Sequence, residues 1–210
     1  MSLLAVAPEG MEFELAPQGN FNSVCYMVCD LGYHEREWQG VKNNKRMVRL
    51  AFELCGTSME DGRPFSVAKN YTLSLAESAN LRQDLQSWRG RAFTEDELKG
   101  FDLFNVLGKP CMVNVVHTTS KQGDKTYANI ASIAAMPQGA SLPVASNELV
   151  KFSLDEFDQL TYESLPDWLQ KKINVHGVNQ PVTRESENPA PTGGSFDDDI
   201  PFAAHELNLY

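Results

Sequence analysis

The sequence predicts a mainly β domain that is followed by a short helical segment and an acidic tail. Three observations lead to this prediction. Apolar and polar residues alternate at a period of two in several stretches before residue 136, as they do in half-buried strands. The period changes to about 3.6 between two of these stretches, which indicates an amphipathic helix. After residue 178, Pro, Asn, Ser, Glu, Thr and Gly dominate as far as Phe196, a composition typical of disorder.

Three of the predicted strands precede the helix. Phe21–Leu31 is apolar on both phases, so we expect a long strand that is covered on both sides. Tyr33–Asn44 is polar and is predicted to be a long loop. Arg46–Cys55 alternates without interruption and forms the second predicted strand. The third predicted strand covers Phe65–Leu75, after a turn at Glu60–Gly62.

The helix and two further strands complete the predicted domain. Apolar residues recur at positions i, i+4 and i+7 in Leu81–Trp88, which is the spacing of one helix face. A second short helical turn is predicted after Thr94, which fits an N-cap with Glu97 at the capping-box position. Pro110–Thr118 and Lys125–Ala135 alternate again and are predicted to be the fourth and fifth strands, joined by a hairpin loop.

This order of elements is that of an OB-fold, a five-stranded Greek-key barrel with its helix between strands three and four. We divide the chain into an N-terminal extension (1–18), the OB-fold domain (19–139), a helical extension (140–177) and a disordered acidic tail (178–210). The helical extension contains a predicted helix at Leu165–Ile173. We expect three of its apolar residues to dock on the barrel or on a second copy of the chain: Trp168, Leu169 and Ile173.

The composition excludes several classes of protein. With 42% apolar residues the chain can bury a core, and no apolar run reaches the length of a membrane helix. The first residues lack the basic flank of a signal peptide. Four cysteines are too few for a disulfide scaffold and none forms a CxxC pair, so we expect no zinc ribbon and a reducing, cytoplasmic location.

No pattern in the sequence indicates catalysis. The four histidines are scattered, and the sequence has no HExxH, GxSxG or Walker-type motif. Cys25 and Cys29 lie four residues apart on a predicted strand, but no histidine or further cysteine has the spacing that a metal site needs. We therefore predict no catalytic residue, no metal site and no cofactor, and we interpret the chain as a binding protein.

The predicted fold has a surface that suits single-stranded nucleic acid. OB-folds bind oligonucleotides or oligosaccharides on the face of strands two and three, between the 1–2 and 4–5 loops. A single strand needs cations for its phosphates and aromatic rings on which its bases stack. The candidate phosphate contacts are Arg46, Arg49, Lys69, Lys121 and Lys125, and the candidate stacking residues are Trp38, Tyr71 and Tyr127.

The three aromatic candidates differ in the alternatives that the sequence leaves open. Trp38 lies among polar residues, far in sequence from any core segment, so we favour a functional role for it. Tyr71 shares a phase with Val67 and Leu73 and fits a core position equally well. Tyr127 follows the hairpin turn and fits either the rim or the closure of the barrel.

The net charge of −10 is distributed unevenly. Residues 33–129 carry 14 Lys and Arg against 12 Asp and Glu, a net +2, whereas residues 130–210 carry 4 against 12, a net −8. Near the acidic end lies Gly193–Phe202 (GGSFDDDIPF), in which a flexible hinge precedes three carboxylates and an apolar Ile-Pro-Phe. This pattern is typical of a peptide ligand whose acids meet a basic rim while its Phe enters an apolar pocket.

The tip DDDIPF resembles the acidic C-terminal tip of bacterial single-stranded-DNA-binding proteins, which recruits enzymes of replication, recombination and repair. The strand order and the segment Gly108–Gly139 resemble small phage- and prophage-encoded single-stranded-DNA-binding proteins, over roughly residues 15–175. The resemblance implies that the tip binds partners through Asp197, Asp198, Asp199, Ile200, Pro201 and Phe202. In the bacterial family the last Phe carries the terminal carboxylate, whereas Ala203–Tyr210 follows here. Either the partner tolerates an internal motif, or the anchor is Leu207–Tyr210.

We therefore expect a cytoplasmic protein, in the host cytoplasm if it is phage-encoded, that coats and protects single-stranded DNA during replication and recombination. We expect little sequence preference, recruitment of replication and recombination proteins by the tail, no membrane association and a possible homodimer. Two alternatives stay open. One is a protein-interaction adaptor whose acidic tail mimics DNA, and the other is an oligosaccharide-binding OB module.

Overall fold

Two long antiparallel strands organise the computed structural model, which describes residues 14–38, 41–120, 123 and 125–173. The strands within these ranges are β1 (Gly19–Trp38), β2 (Val41–Ser58), β3 (Pro64–Thr72), β4 (Pro110–Thr119), β5 (Thr126–Ala134) and β6 (Val150–Phe152). The helices are α1 (Asn80–Arg89), α2 (Glu95–Lys99), α3 (Gln159–Ser164) and α4 (Asp167–Lys172), with a 3₁₀ turn at Leu103–Val106. The expectation of a mainly β fold is confirmed.

All the described strands belong to one sheet in the order β3-β2-β1-β4-β5, with β6 paired in parallel to β1. The other pairs are antiparallel. Cα atoms of the two outer strands, β3 and β5, come within 8 Å of each other, so the sheet curls strongly although no ladder joins these strands. The five predicted strands are all found, and the short β6 is a sixth strand that the prediction lacks.

The predicted loop at Tyr33–Asn44 is wrong, because this stretch is mostly strand. β1 and β2 stay paired from Tyr33↔Arg46 to Trp38↔Val41, whereas the ladder between β2 and β3 ends at Met47↔Thr72. Residues 33–38 and 41–46 therefore form a two-stranded arm that extends past the rest of the sheet. A cross-strand ladder satisfies backbone hydrogen-bonding groups without requiring an apolar face, so polar side chains do not prevent it.

The two faces of the sheet are each buried by different elements. The inner face packs with α1 and the 3₁₀ turn into a first core that contains Val48, Leu50 and Phe52. The outer face of β1 and β2 packs under residues 150–173 into a second core, in which Leu169 has no exposed surface and Phe152 only 1%. The C-terminal segment contributes Leu165, Leu169 and Ile173 to this second core.

Several predicted helical features are confirmed. α1 buries Leu81, Leu85 and Trp88, and the indole N–H of Trp88 donates to the carbonyl of Pro110 at 2.8 Å. α2 begins with the predicted capping box of Thr94 and Glu97. The helix predicted over 165–173 is present as α4, whereas α3 is an addition to the prediction. Within the described residues, no helix is long and apolar enough to cross a membrane.

Candidate nucleic-acid interface

Two of the predicted contacts, Lys69 and Tyr71, lie on the inner face and serve the core. The Tyr71 hydroxyl donates to Oδ2 of Asp84 in α1 at 2.8 Å, and Lys69 Nζ lies 3.1 Å from the same oxygen. Tyr71 is only 2% exposed, and burial, followed by the nearby Asp84, raises its pKa well above 10. The role of Tyr71 as a stacking platform is therefore wrong, because its ring is enclosed. The positive charge of Lys69 is paired within the fold.

Arg46 joins the sheet to the C-terminal extension instead of facing solvent freely. Its guanidinium donates to both Asp30 carboxylate oxygens and, at 2.7 Å, to Oδ2 of Asp155. The hydrogen bond to Asp30 is the main reason that the pKa of Arg46 is raised above its ordinary value. Asp30 also accepts the backbone N–H of Leu154 at 3.2 Å, so one carboxylate ties the arm's base to the segment after β6.

Arg49 lies on the outer face of β2, beneath the indole of Trp168 in α4. The Arg49 Cζ atom is 4.9 Å from the Trp168 ring centroid, and Nη1 donates to Oδ1 of Asn70 at 3.2 Å. Burial lowers the pKa of Arg49. Lys172 Nζ lies 5.9 Å from the same ring, so two cations share one aromatic side chain. Arg49 thus lies on the predicted face, but α4 partly covers it. The sequence predicts this helix without showing where it docks.

The remaining predicted residues lie on the two hairpins. Lys125 is exposed where the β4–β5 hairpin begins its return, and the half-buried Tyr127 pairs with Thr118 in the ladder. Trp38 ends β1 at the arm's tip, and Lys121 and the acidic tip 197–202 lie outside the described residues. The arm follows the C-terminal end of β1, whereas β4 passes its N-terminal end at Gly19. The two hairpins therefore lie at opposite ends of β1.

The outer face of the arm carries cations that sequence reasoning missed. His34 pairs with Lys45 and Arg36 with Asn43, and side chains of directly paired residues share a face. Arg36 Nη2 lies 4.0 Å from Met47 Sδ, and Met47 belongs to the second core, which identifies this face as the outer one. None of these four arm side chains is a carboxylate.

The opposite face of the arm is different in charge. It carries Glu35 and Lys42, whose side chains form an exposed ion pair at 2.8 Å. Such a pair contributes little stability but neutralises both charges locally. The arm therefore has one basic face and one balanced face, and only the basic face continues into the outer surface of β2 toward Arg49. Along β2, Lys45, Met47 and Arg49 follow one another on this face at roughly 7 Å intervals.

The residues of this basic face alternate along the sequence, but their neighbours on the other phase are also polar. His34 and Arg36 alternate with Tyr33 and Glu35. Lys45 directly precedes the second predicted strand and has the same phase as Arg49. Because neither phase of the segment is apolar, the usual period-two criterion does not detect a strand there.

The four cysteine thiols lie in surroundings that raise their pKa values. Burial raises the pKa values of Cys25 and Cys29 to about 12, so both remain protonated at neutral pH. Burial also raises the pKa values of Cys55 and Cys111. Among the described residues, no group of three His, Cys, Asp or Glu side chains is placed to hold a metal ion.

No protein-family model matches this chain, and no curated protein matches its sequence.

Proposed function

We propose that this protein binds single-stranded DNA and that the outer face of the arm is its principal contact surface. The observation that carries the proposal is the separation of charge on the arm. Arg36 and Lys45 share a face with His34 and no described carboxylate, whereas the opposite face pairs Glu35 with Lys42. An unopposed row of cations on an extended ribbon attracts a phosphate backbone, and contacts with phosphates carry no sequence preference.

We further propose that the fold is an OB-fold. The strand order β3-β2-β1-β4-β5, the close approach of β3 to β5 and the position of α1 between β3 and β4 all support this assignment. The arm then corresponds to an extended 1–2 connection. In OB-folds this connection borders the ligand, which agrees with the basic face described above.

Stacking is the second part of the proposed binding mode. Trp38 at the arm's tip and Tyr127 beside the other hairpin are the remaining aromatic candidates after Tyr71 is excluded. Trp38→Ala is expected to weaken binding by about 1–3 kcal/mol, the usual contribution of one base on an aromatic ring. The comparison of Trp fluorescence with and without saturating oligonucleotide tests the assignment, and a signal from Trp38 that does not change would contradict it.

The acidic tail is proposed to recruit proteins of replication, recombination and repair through residues 197–202. This proposal rests on the sequence motif, since the tail lies outside the described residues. We also propose that the protein acts in the cytoplasm, in keeping with its four unpaired cysteines.

A titration of labelled oligo-dT and oligo-U at several salt concentrations tests the binding function. We expect log affinity to fall linearly with log salt, because neutralised phosphates release counterions. The double variant Arg36→Gln/Lys45→Gln should bind more weakly, with a salt slope reduced by about 1.4. Lys42→Gln is the matched control, because Lys42 lies on the same arm but on its opposite face and is paired with Glu35.

Two results would overturn the proposal. One is an absence of binding at low salt, and the other is an equal effect of the double variant and the Lys42 control.

A protein-binding adaptor is the second candidate, and exposed apolar side chains favour it. Leu142 and Val144 in the connection before β6 are 65% and 85% exposed, and Leu160 on α3 is 77% exposed. Exposed apolar side chains of this kind are candidate contacts for a protein partner. Binding to oligo-dT that depends on salt supports the first candidate, whereas capture of a partner that survives high salt without any DNA binding supports the second.

A further inference from the structure

A cavity of about 180 Å³ lies where the arm leaves the sheet. It starts directly beyond the end of the β1–β6 ladder at Cys29↔Phe152, because the next residue of β1, Asp30, lines it. Val48 of the first core and Phe152 of the second core both line the cavity, so it lies at the boundary between the two cores. The sheet, the 3₁₀ turn and the segment after β6 therefore enclose it together.

Aromatic and aliphatic side chains form much of the wall of this cavity. Phe101, Leu103 and Phe104 come from the 3₁₀ turn and the residues just before it, and Leu73 follows β3. The ring of Phe101 packs edge to face against Phe93, with 5.3 Å between the ring centroids. A planar ring that enters the cavity therefore meets aromatic surface that is already held in position, which lowers the entropic cost of binding.

The volume of the cavity limits the size of its ligand. An apolar cavity of about 150 Å³ holds one benzene ring, whereas pockets for drug-sized molecules measure roughly 300–1,000 Å³. A volume of about 180 Å³ therefore fits a single six-membered ring. Among the DNA bases this size matches a pyrimidine, since a purine consists of two fused rings.

The charge of the cavity favours a neutral base over a phosphate. Three carboxylates and one guanidinium line it, a formal net charge of −2, and these residues are Asp30, Asp102, Asp155 and Arg46. Asp30 is already engaged by two backbone N–H groups and by Arg46. The remaining negative charge repels a phosphate and attracts hydrogen-bond donors. The ligand group that fits is thus an uncharged ring that carries an amino group.

Asp102, Asp155 and Ser153 supply the polar groups for such a ring. Oδ1 of Asp102 accepts the backbone N–H of Phe104 at 2.9 Å, and Oδ2 of Asp155 accepts from Arg46 at 2.7 Å. A carboxylate has about four acceptor sites, so both exposed side chains can accept from a ligand as well. Oγ of Ser153 accepts the backbone N–H of Asp155 at 3.2 Å, and its hydroxyl hydrogen can be donated to a ligand.

We propose that this cavity binds one cytosine base of single-stranded DNA, whose amino group donates to the carboxylates of Asp102 and Asp155. Aspartate and glutamate are the side chains that recognise the N4 amino group of cytosine. Thymine carries the acceptor O4 at the same ring position, which a carboxylate repels. Ser153 offers a donor to the acceptor atoms of the cytosine ring. This inference rests on the proposed function and adds to it a preference for one base.

The cavity lies within reach of a strand on the arm. Arg46 lines the cavity and directly follows Lys45, which belongs to the proposed phosphate contacts. Successive residues of a strand are about 3.3 Å apart. A DNA strand whose phosphate is bound by Lys45 can therefore place a neighbouring base in the cavity.

Titrations of the full chain with oligo-dC and oligo-dU at pH 7 test the site, because the two bases differ only in the amino or carbonyl group at ring position 4 and the proton on N3. We expect the wild type to bind oligo-dC about five- to tenfold more tightly than oligo-dU. Asp102→Asn/Asp155→Asn should bring the two affinities to within about twofold, because an amide can donate to O4 as well as accept from N4. Asn at position 102 still caps the 3₁₀ turn.

Asp96→Asn/Glu156→Gln is the matched control for this double variant. It removes the same amount of charge from side chains that are 91% and 80% exposed and that do not line the cavity. The control should keep the preference of the wild type for oligo-dC. Equal binding of oligo-dC and oligo-dU by the wild type would overturn the cytosine site and leave the proposed function intact. A preference that persists in Asp102→Asn/Asp155→Asn would overturn it too.

A second readout separates this inference from the proposed function. The backbone amide resonance of Ser153 should shift when 2′-deoxycytidine is added and should respond much less to 2′-deoxyuridine. Asp102→Asn/Asp155→Asn should abolish the difference between the two nucleosides. If neither oligonucleotide binds, the proposed function fails, and the nucleoside titration alone decides whether the cavity takes cytosine. A resonance that does not respond to 2′-deoxycytidine would overturn the site.

Discussion

Glu53 and Asn147 lie 94 residues apart in the chain, and Asn147 donates two hydrogen bonds to one carboxylate oxygen of Glu53. Oε2 of Glu53 accepts from the backbone N–H of Asn147 at 2.8 Å and from its side-chain amide at 2.7 Å. The N–H of Ser146 donates to both carboxylate oxygens. Glu53 is 2% exposed, so these donors replace the water that a carboxylate normally requires. The contact fixes the start of the C-terminal extension on the outer face of β2.

Glu53→Ala is expected to lower the free energy of unfolding by about 2–4 kcal/mol, because hydrogen bonds to a buried charge are among the strongest in a fold. Urea denaturation followed by Trp fluorescence measures this change. Glu60→Ala is the control, since Glu60 is exposed in the turn after β2. Equal stability of the two variants would show that the contact does not hold the extension in place.

Lys69 and Lys45 should show opposite effects when each is replaced by Gln. Lys69→Gln removes the ion pair with Asp84 and should reduce stability by about 1 kcal/mol while leaving oligo-dT affinity unchanged. Lys45→Gln should leave stability unchanged and weaken DNA binding, because Lys45 is exposed on the arm's basic face. Urea midpoints and titrations on the same samples measure both effects. A loss of oligo-dT affinity in Lys69→Gln would show that Lys69 contributes to DNA binding.

Glu97 should make the stability of the protein depend on pH in the acid range. The hydrogen bond from Arg91, then that from the backbone of Thr94, lowers the pKa of Glu97 from its ordinary value of 4.5. A depressed carboxyl pKa contributes stability above the unfolded pKa, and this contribution is lost as pH falls below about 4.5. The urea midpoint of Glu97→Gln should therefore lie below that of wild type at pH 7, and the gap should narrow at pH 3.

Glu95→Gln, on the same short helix, is the control for this measurement. A gap between Glu97→Gln and wild type that stays constant between pH 7 and pH 3 would contradict the assignment.

Removal of residues 196–210 should separate DNA binding from recruitment. The deletion removes Asp197, Asp198, Asp199 and Glu206, so oligo-dT should bind equally well or more tightly at low salt. Screening should remove the difference at high salt. Pull-down of replication proteins should be lost, and Phe202→Ala should reproduce that loss without changing DNA binding. A chain that ends at Phe202 restores a terminal carboxylate and should preserve recruitment. Weaker DNA binding together with intact recruitment after the deletion would refute this division of roles.

The sequence predicts those elements whose chemistry is local. The alternation in β2 and the helical spacing in α1 report directly on one buried face each, and the capping box of α2 depends on residues three positions apart. Apolar periodicity does not detect the arm, because both of its faces are polar. It does not detect β6 because three residues are too short to show a period, and the β6 partner Met27 lies more than 120 positions earlier.

The candidate site was predictable only in part for a similar reason. Alternation placed Arg49 on the outer face correctly, but nothing local shows that Trp168 would pack over it. Tyr71 fitted the core and the surface equally well by phase, and its burial under α1, with its hydroxyl bonded to Asp84, decides between them. Partners distant in sequence determine what a charged or aromatic side chain does.

The late position of β6 and α4 in the chain has a consequence for synthesis. Strands β1 to β5 are complete when Ala134 has been made, but the segment that covers the outer face of β1 and β2 ends at Ile173. At a typical rate of about 5–20 residues per second, translation of the intervening segment takes roughly 2–8 s. During that time the nascent chain presents Met27, Cys29 and Leu31 without their native cover, so this face is the part of the newborn protein most open to chaperones and to other nascent chains.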